Sequence, residues 1–309
     1  MPRHLVTSDM RVGYLELHKD LLLLGDWVKP RGKPTLELSD VMITLTDPTQ
    51  AVPYNVGRKL HIPIASAEFI QLVGGYSDVQ QLSSISSVFN TFTDRGRLRG
   101  AYGPRLYWQW NWLLKRLTSD PDTRQAVMTI WRPEELTYDS HDVPCTISLS
   151  YTIRNGALDA RTHMRSNDFW LGLPYDFGQF TALQRTLAFV LGVEVGTYTH
   201  FVNSLHLYER DLDDASNLTL THAARKRDMM PPITFERDDE TTVFMRWAIV
   251  QALARRIGLG IASEVERNAH SDRLDRYPSM LPICANCRYA YDPNPETDFL
   301  NTCSECTHT

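Results

Sequence analysis

Apolar positions along the chain follow two periods, and the change from one to the other marks the elements. From Ala65 to Val79 the apolar residues around Glu68 keep a helical spacing closed by Gly74-Gly75. Tyr107 to Leu117 repeats that spacing, and the Asp120-Pro121-Asp122 turn ends it. Between Phe177 and Leu191 the residues Phe177, Phe180, Leu183, Leu187, Val190 and Leu191 fall on one broad face, which predicts a long helix through the core. Gln125–Trp131 reads as a buried strand because its apolar residues are nearly continuous. Residues 146–164 read as two alternating strands hinged on Asn155-Gly156, a dipeptide suited to a tight hairpin. In the first 65 residues short apolar runs broken by Pro and Gly predict strands and turns. Residues 243–267 read as one or two helices interrupted at Gly258 and Gly260. No internal repeat is evident. The composition shifts near Tyr277, which predicts two units, 1–276 and 277–309.

Composition narrows the class. With 309 residues and 42% hydrophobic content the chain can bury a substantial core, so disorder is excluded as its main state. Lys and Arg number 32 against 37 Asp and Glu, for a formal charge of -5. That balance lacks the global basic surplus of a nonspecific nucleic-acid binder, although it leaves room for a local basic pocket. No apolar stretch reaches the roughly 18–20 residues that span a bilayer, and the opening residues lack the apolar core of a secretion signal. The expectation is a soluble, cytoplasmic protein without a membrane partner.

The five cysteines divide unevenly. Cys284, Cys287, Cys303 and Cys306 form two C-x2-C knuckles with 15 residues between them, leaving Cys145 alone. Four thiolates so arranged can converge tetrahedrally on a structural Zn²⁺ in a ribbon with no open coordination position. The competing reading, two redox dithiols, is disfavoured because the pairs are alike and no thioredoxin-like pattern surrounds them. The tail from Pro282 onward carries one Arg and no Lys, which speaks against phosphate contacts and makes nucleic acid an unexpected partner. Cys145, in DVPCTISLSY, lies at the start of a predicted strand. Taken alone, such a cysteine is more often a small buried hydrophobe than a nucleophile.

The stretch that begins twenty positions after Cys145, RSNDFWLGLPYDFGQF (165–180), changes that reading. It resembles the thymidylate synthase family, whose hallmark is Q-R-S-x-D-x-x-L-G-x-P-F-N following a P-C-H nucleophile. Upstream, DPDTRQAVMTIWRPEEL resembles the family's arginine-bearing strand and W-x-P-x-x-L turn, YGP (102–104) its Y-G step, and AEFIQLVGG its glutamate helix. Downstream, GVEVGTYTHFVNSLHLYERD resembles the G-D-x-H-x-Y segment. The resemblance covers about residues 65–210 in the family's order and spacing. It implies an α/β (α+β) fold of thymidylate synthase type carrying the small zinc ribbon. It also implies a homodimer with a shared active site, a pyrimidine nucleoside monophosphate as substrate and 5,10-methylene-tetrahydrofolate as one-carbon donor.

Carried over residue by residue, the resemblance makes Cys145 the thiolate that adds to C6 of the pyrimidine, turning C5 into a carbon nucleophile. Arg165 would bind phosphate and lower the thiol pKa. Arg124 would reach the phosphate in the neighbouring subunit, and Arg31, in KPRGKPT, would match a mobile phosphate-binding arginine. Ser166 would bond phosphate, Asp168 and Gly172 would line the base and folate region, and His206 and Tyr208 would hold the sugar hydroxyl. Glu68 would act with water in proton transfer at the ring, and Tyr102 would help remove the C5 proton. Phe89 and Phe92, in FNTF, stand where the family carries W-x-x-W beside folate. Bland readings exist for several of these: Arg165 in a surface ion pair, His206 as a satisfied core histidine, Glu68 on a solvated helix face.

Departures from the pattern bear on substrate and product. Asp176 stands where the family's Asn reads the uracil edge. Cytosine offers N4–H donors and an N3 acceptor, and a carboxyl suits that edge, either protonated and donating to N3 or ionised beside a protonated ring. Asp here marks the cytidylate-modifying branch, so the expected substrate is dCMP or CMP, although Asp is also a common helix cap. Phe89 and Phe92 in place of indoles, and the cysteine tail in place of a short apolar carboxyl terminus, suggest a less sealed pocket and a 5-hydroxymethyl product. The alternatives are a C5-methylating enzyme on cytidylate or dUMP, and a catalytically impaired nucleotide-binding protein whose zinc tail engages a partner. Thr146, Gln125 and Met164 replace the usual His, second Arg and Gln, which thins the phosphate clamp.

Overall fold

The alternation of buried and solvated side chains along 3–208 resolves into one mixed sheet. This is a computed structural model that describes residues 3–219, except 55, 76, 78, 80–82, 84–86, 94–97, 134, 136–139 and 141, together with 243. Strand β1 (Arg3–Thr7) runs parallel to β3 (Thr35–Leu45), which lies antiparallel to the long β8 (Glu194–Tyr208). The other side of β8 pairs in parallel with β6 (Ala157–Met164), followed by antiparallel β5 (Thr146–Arg154) and β4 (Val127–Thr129). Short β2 (Asp26–Val28) joins β3, and β7 (Asn167–Asp168) joins the end of β8. The expected hairpin is present: Asn155 and Gly156 turn with φ of 51° and 78°, the paired left-handed geometry of a tight hairpin turn.

Helices cover one face of this sheet. The first is α1 (Met10–Leu24), capped by Asp9, whose side chain accepts from the Arg11 amide. It corrects the expectation of strands and turns alone in the first 65 residues. Met10, Tyr14, Leu17 and Leu21 carry the helical period, but the adjoining Leu22, Leu23 and Leu24 blur it and remain exposed. Next comes α2 (Ile62–Gly74), which Gly75 closes in the left-handed region at φ 76°. The helix expected over 107–117 is α4 (Trp110–Ser119), which a short α3 (Tyr102–Leu106) precedes outside the expected range. Strand β4 is shorter than expected and lies at the sheet edge; Met128 is buried between exposed Val127 and Thr129, so it is half-solvated rather than buried throughout.

The long helix, α5 (Leu173–Leu191), is the core element the apolar pattern predicts. Phe177, Phe180, Leu183 and Leu187 are buried, each such burial contributing about 1.5–3 kcal/mol. Gln184 fastens it to the sheet by donating to the carbonyls of Leu158, Gly196 and Thr197. A short α6 (Leu212–Ala215) follows β8. On the opposite sheet face, Met42, Thr44, His163, Thr199 and Phe201 are partly or largely exposed. No described helix is long and apolar enough to cross a membrane. The helices expected over 243–267 and the boundary at 277 lie outside the described residues, Val243 excepted.

Candidate active site

The β5–β6 hairpin assembles the first part of the site. Cys145 immediately precedes β5 and Arg165 immediately follows β6, and the Arg165 amide donates to the Cys145 carbonyl at 2.9 Å. The guanidinium turns back over this end: Nε donates to Pro144 O at 2.9 Å, Nη2 to Val143 O at 3.0 Å, and Nη2 reaches Cys145 Sγ at 3.7 Å. The Trp131 ring lies 5.8 Å from the same guanidinium. Arg165 is thus a backbone latch that also sets a positive charge beside the thiol, and its ordinary ion-pair reading is displaced. Its charge favours the thiolate as expected, yet burial outweighs it, and with Asp176, Asp142 and Asp168 nearby the net effect pushes the Cys145 thiol up.

Helix α3 brings Tyr102 beside that thiol, and helix α2 brings Glu68 beside Asp176. The two helices touch so closely that a Cβ on Gly103 would lie 2.2 Å from Gln71 O, which leaves glycine as the residue that fits. Arg105 fixes α3 from the other side by donating to the carbonyls of Ile130 (2.9 Å) and Arg99 (2.8 Å) and pairing with Glu135. The result is a cavity of about 180 Å³, lined by Glu68, Phe89, Tyr102, Asp142, Asp176 and Gln179 among others. That volume suits a heterocyclic ring better than a whole drug-sized ligand, whose sites run to about 300–1,000 Å³.

Two of the cavity's acids, Glu68 and Asp176, have carboxyls pushed up by burial. Burial pushes Glu68 up to about 8, aided by the charge of Asp176, and its Oε2 is buried without a partner. That orphaned oxygen sets aside the solvated-helix reading of Glu68. Burial likewise pushes Asp176 up to about 7, although hydrogen bonds from Asn167 and Gln179 pull it back. Tyr102 rises well above its ordinary value through burial and the charges of Asp176 and Cys145, and its hydroxyl accepts from the Thr146 amide at 3.3 Å. The hydroxyl of Thr146 is itself buried and unpartnered.

A polar row extends from Arg165 to the end of β8. Ser166 Oγ and His206 Nδ1 lie 3.3 Å apart, and the His206 and Tyr208 rings meet edge to face at 5.2 Å. Asp168 accepts from the amides of Trp170 and Leu171, both at 2.8 Å, which fixes the turn into α5, while burial pushes its carboxyl up. Gly172 begins α5 where a Cβ would come within 2.9 Å of the Asn167 amide nitrogen. Arg31 sits in an exposed turn, itself left-handed at φ 52°, just ahead of the β3 end that pairs with Tyr208. Arg124 is exposed ahead of edge strand β4. The fold therefore gathers Cys145, Arg165, Ser166, Glu68, Tyr102, Asp168, Asp176 and His206 in one region, with Tyr208 and Arg31 at its margin; it does not bring Arg124 there.

Phe89 lines the cavity, whereas the side chain of Phe92 lies outside the described residues. Cys284, Cys287, Cys303 and Cys306 also lie outside them, and among the described residues no group of three or more His, Cys, Asp or Glu is placed to hold a metal. Sequence reasoning gave no role to Asp142, whose Oδ2 accepts from the Gly100 amide at 2.7 Å, or to Gln179, Asn167 and His200. The last shares a strand with His206, but the buried positions change phase between Val202 and Leu205, so simple alternation does not carry His200 onto the face of His206.

Comparison with known proteins gives a consistent outcome. A family model described as thymidylate synthase matches residues 12–250. The chain is 34% identical over 220 residues to a deoxyuridylate hydroxymethyltransferase of Bacillus phage SP01, covering 65% of this chain and 57% of that protein. It is 35% identical over 107 residues to thymidylate synthase 1 of Bacillus spizizenii, covering 34% of this chain and 38% of that one. The chain thus spans less than two thirds of the length of these curated relatives. Among solved structures, thermostable thymidylate synthase A from Bacillus subtilis shares the fold, with a TM-score of 0.59 at 23% identity over 74% of this chain and 86% of that one.

Proposed function

The chain belongs to the thymidylate synthase family, and from that premise we propose that it transfers a one-carbon unit from 5,10-methylene-tetrahydrofolate to C5 of a pyrimidine nucleoside monophosphate. The acceptor in this reading is dCMP or CMP, and the product is the 5-hydroxymethyl nucleotide. The observation that carries the substrate choice is Asp176, a carboxyl in a ring-sized cavity held up at about 7 and so available in its protonated form. A protonated Asp176 donates to cytosine N3, a contact the ionised form lacks.

Cys145 Sγ bonds to C6, and the electron pair released toward C5 makes that carbon the nucleophile. Arg165 stabilises the thiolate as it forms. Below the values of about 8 and 7, Glu68 and Asp176 are neutral, so their repulsion of the thiolate is relieved as well. Glu68 then moves a proton at the ring edge, and Tyr102, a neutral phenol beside Cys145, helps remove the C5 proton by orienting the water that takes it. Bound methylene-tetrahydrofolate supplies an electrophilic one-carbon unit, for which apolar Phe89 and the uncrowded backbone at Gly172 are a suitable wall. Once the carbon is on C5, its bond to the folate nitrogen would break with loss of the C5 proton, water would add to the resulting methylene as the hydroxyl, and departure of Sγ would restore the ring. The name of the phage relative supports this product.

In the assembly we propose, two subunits pack through the uncovered sheet face and the partner subunit's Arg124 joins Arg165 and Arg31 at the phosphate, while His206 and Tyr208 take the sugar. The tail quartet holds one structural zinc, as its all-thiolate donor set suits.

A second reading, deoxyuridylate as acceptor, is favoured by the name of the phage relative. The two readings have opposite pH signatures. Cytosine N3 needs the proton on Asp176, so kcat/KM for cytidylate falls as pH rises through about 7. Uracil N3–H donates to the ionised carboxylate, so kcat/KM for uridylate rises through the same pH. Tritium release from C5 of dCMP, CMP, dUMP and UMP across neutral pH, with product mass, tests both. No release from any of the four, with or without folate, overturns the enzyme reading and leaves the impaired nucleotide binder.

A further inference from the structure

Both oxygens of Asp176 are bonded, but to different kinds of neighbour. Gln179, which lines the cavity with Asp176, donates Nε2 to Oδ1 at 2.9 Å. Asn167, 2% exposed and away from the cavity lining, donates Nδ2 to Oδ2 at 2.7 Å. Beyond Asn167 runs a chain of buried groups. Its Oδ1 meets His200 Nε2 at 2.9 Å, His200 Nδ1 meets the Tyr198 hydroxyl at 2.8 Å, and that hydroxyl meets Thr162 Oγ1 at 2.9 Å. The Phe177 ring, one residue from Asp176, packs 5.2 Å from Tyr198 and 4.9 Å from His200.

As the Asn167 amide is placed, the chain has one proton order. Burial pushes His200 down to about 3, so the ring is neutral, with one donor and one acceptor. The Asn167 nitrogen faces Asp176 and its oxygen faces His200 Nε2, which then carries the proton. In that order Nδ1 accepts from the Tyr198 hydroxyl. With Asp176 ionised this order locks the Asn167 amide with its NH₂ on the carboxylate, because reversing it would set Asn167 Oδ1 against a carboxylate oxygen, two acceptors at a buried contact.

We propose that Asn167, oriented by His200, is a positioning residue that keeps Oδ2 of Asp176 an acceptor and so leaves Oδ1, on the cavity side, as the atom that carries a proton to the pyrimidine edge. The inference rests on the reading that Asp176 faces the base. The ionisable groups around Asp176 are Glu68 from α2, Tyr102 from α3, Cys145 ahead of β5, Asp168 from β7, and Tyr198 and His200 from β8. None of them replaces the donation from Asn167. Losing that donation takes a stabilising bond from the carboxylate, so Asp176 keeps its proton to higher pH.

The test uses the full chain and two readouts. The infrared carboxyl band that disappears in Asp176→Asn is titrated in the free protein, and the pH profile of tritium release from dCMP, CMP and dUMP is followed in parallel. In Asn167→Leu and His200→Leu the midpoint should rise by about one pH unit, and the falling limb for cytidylate should move with it. His200→Gln, which can still donate to Asn167, should restore the wild-type midpoint. If the leucine variants do not fold, Tyr198→Phe should give a smaller rise. An unmoved midpoint in folded variants, or His200→Gln behaving as His200→Leu, overturns the proposal. A shifted band without cytidylate turnover leaves the positioning role standing and sinks the substrate reading; turnover with an unmoved band does the reverse.

Discussion

The thiol side of the site and the base side are built in different ways. Cys145 and Arg165 meet through main-chain contacts at the open end of one hairpin, with the arginine tied to the carbonyls of Val143 and Pro144. Asp176 is set by side chains from its own helix, from β7, and through them from β8 and β6. Backbone contacts tolerate many sequences around them, whereas a side-chain relay depends on the identity of every member. In the proposed reaction the bond at Cys145 is therefore held by geometry that many sequences can supply, and the choice of ring by chemistry peculiar to this one.

Predictions can break that division at either end. Cys145→Ala should abolish tritium release from every nucleotide, by at least about 10³-fold, with the fold intact by circular dichroism; retained release would remove the nucleophile. Asp176→Asn should instead act selectively, moving the ratio of cytidylate to uridylate kcat/KM by about 10²-fold toward uridylate. Equal loss on both substrates would place Asp176 among the general chemistry and erase the contrast. Tyr14→Phe addresses the support beneath both sides. It removes a buried bond to the Phe169 carbonyl (3.0 Å) while keeping the rings stacked at 4.2 Å. The expected cost is about 1 kcal/mol of stability in denaturant titration, with substrate preference unchanged.

The sequence was legible where signal is local. Asn155-Gly156 announces the hairpin, and six apolar residues from Phe177 to Leu191 announce the central helix. The motif following Cys145 named the candidate site residues because their spacing survives. Less legible was α1, whose buried stripe is masked by three adjoining leucines that stay in water. Strand β4 was overextended because apolar continuity does not distinguish an edge strand from a buried one. Asn167 and His200 escaped notice because their partnership spans 33 residues and becomes visible only when β7 and β8 are side by side. The resting thiol also differs from expectation: a nearby arginine predicts a lowered pKa, and only the three-dimensional enclosure shows burial winning.

The register of the hairpin carries one more consequence. Thr146 pairs with Met164, so the residues just outside this pair, Cys145 and Arg165, meet by continuation of the same ladder. The turn at Asn155-Gly156 sets the register as far as Ser148 and His163, and an irregularity between Thr146 and Ser148 then shifts it by one residue, so turn and irregularity together align Cys145 with Arg165. A slip of one residue there would rotate every side chain along a strand to the other face of the sheet. A change remote from the nucleophile could silence it without altering a single group that touches it.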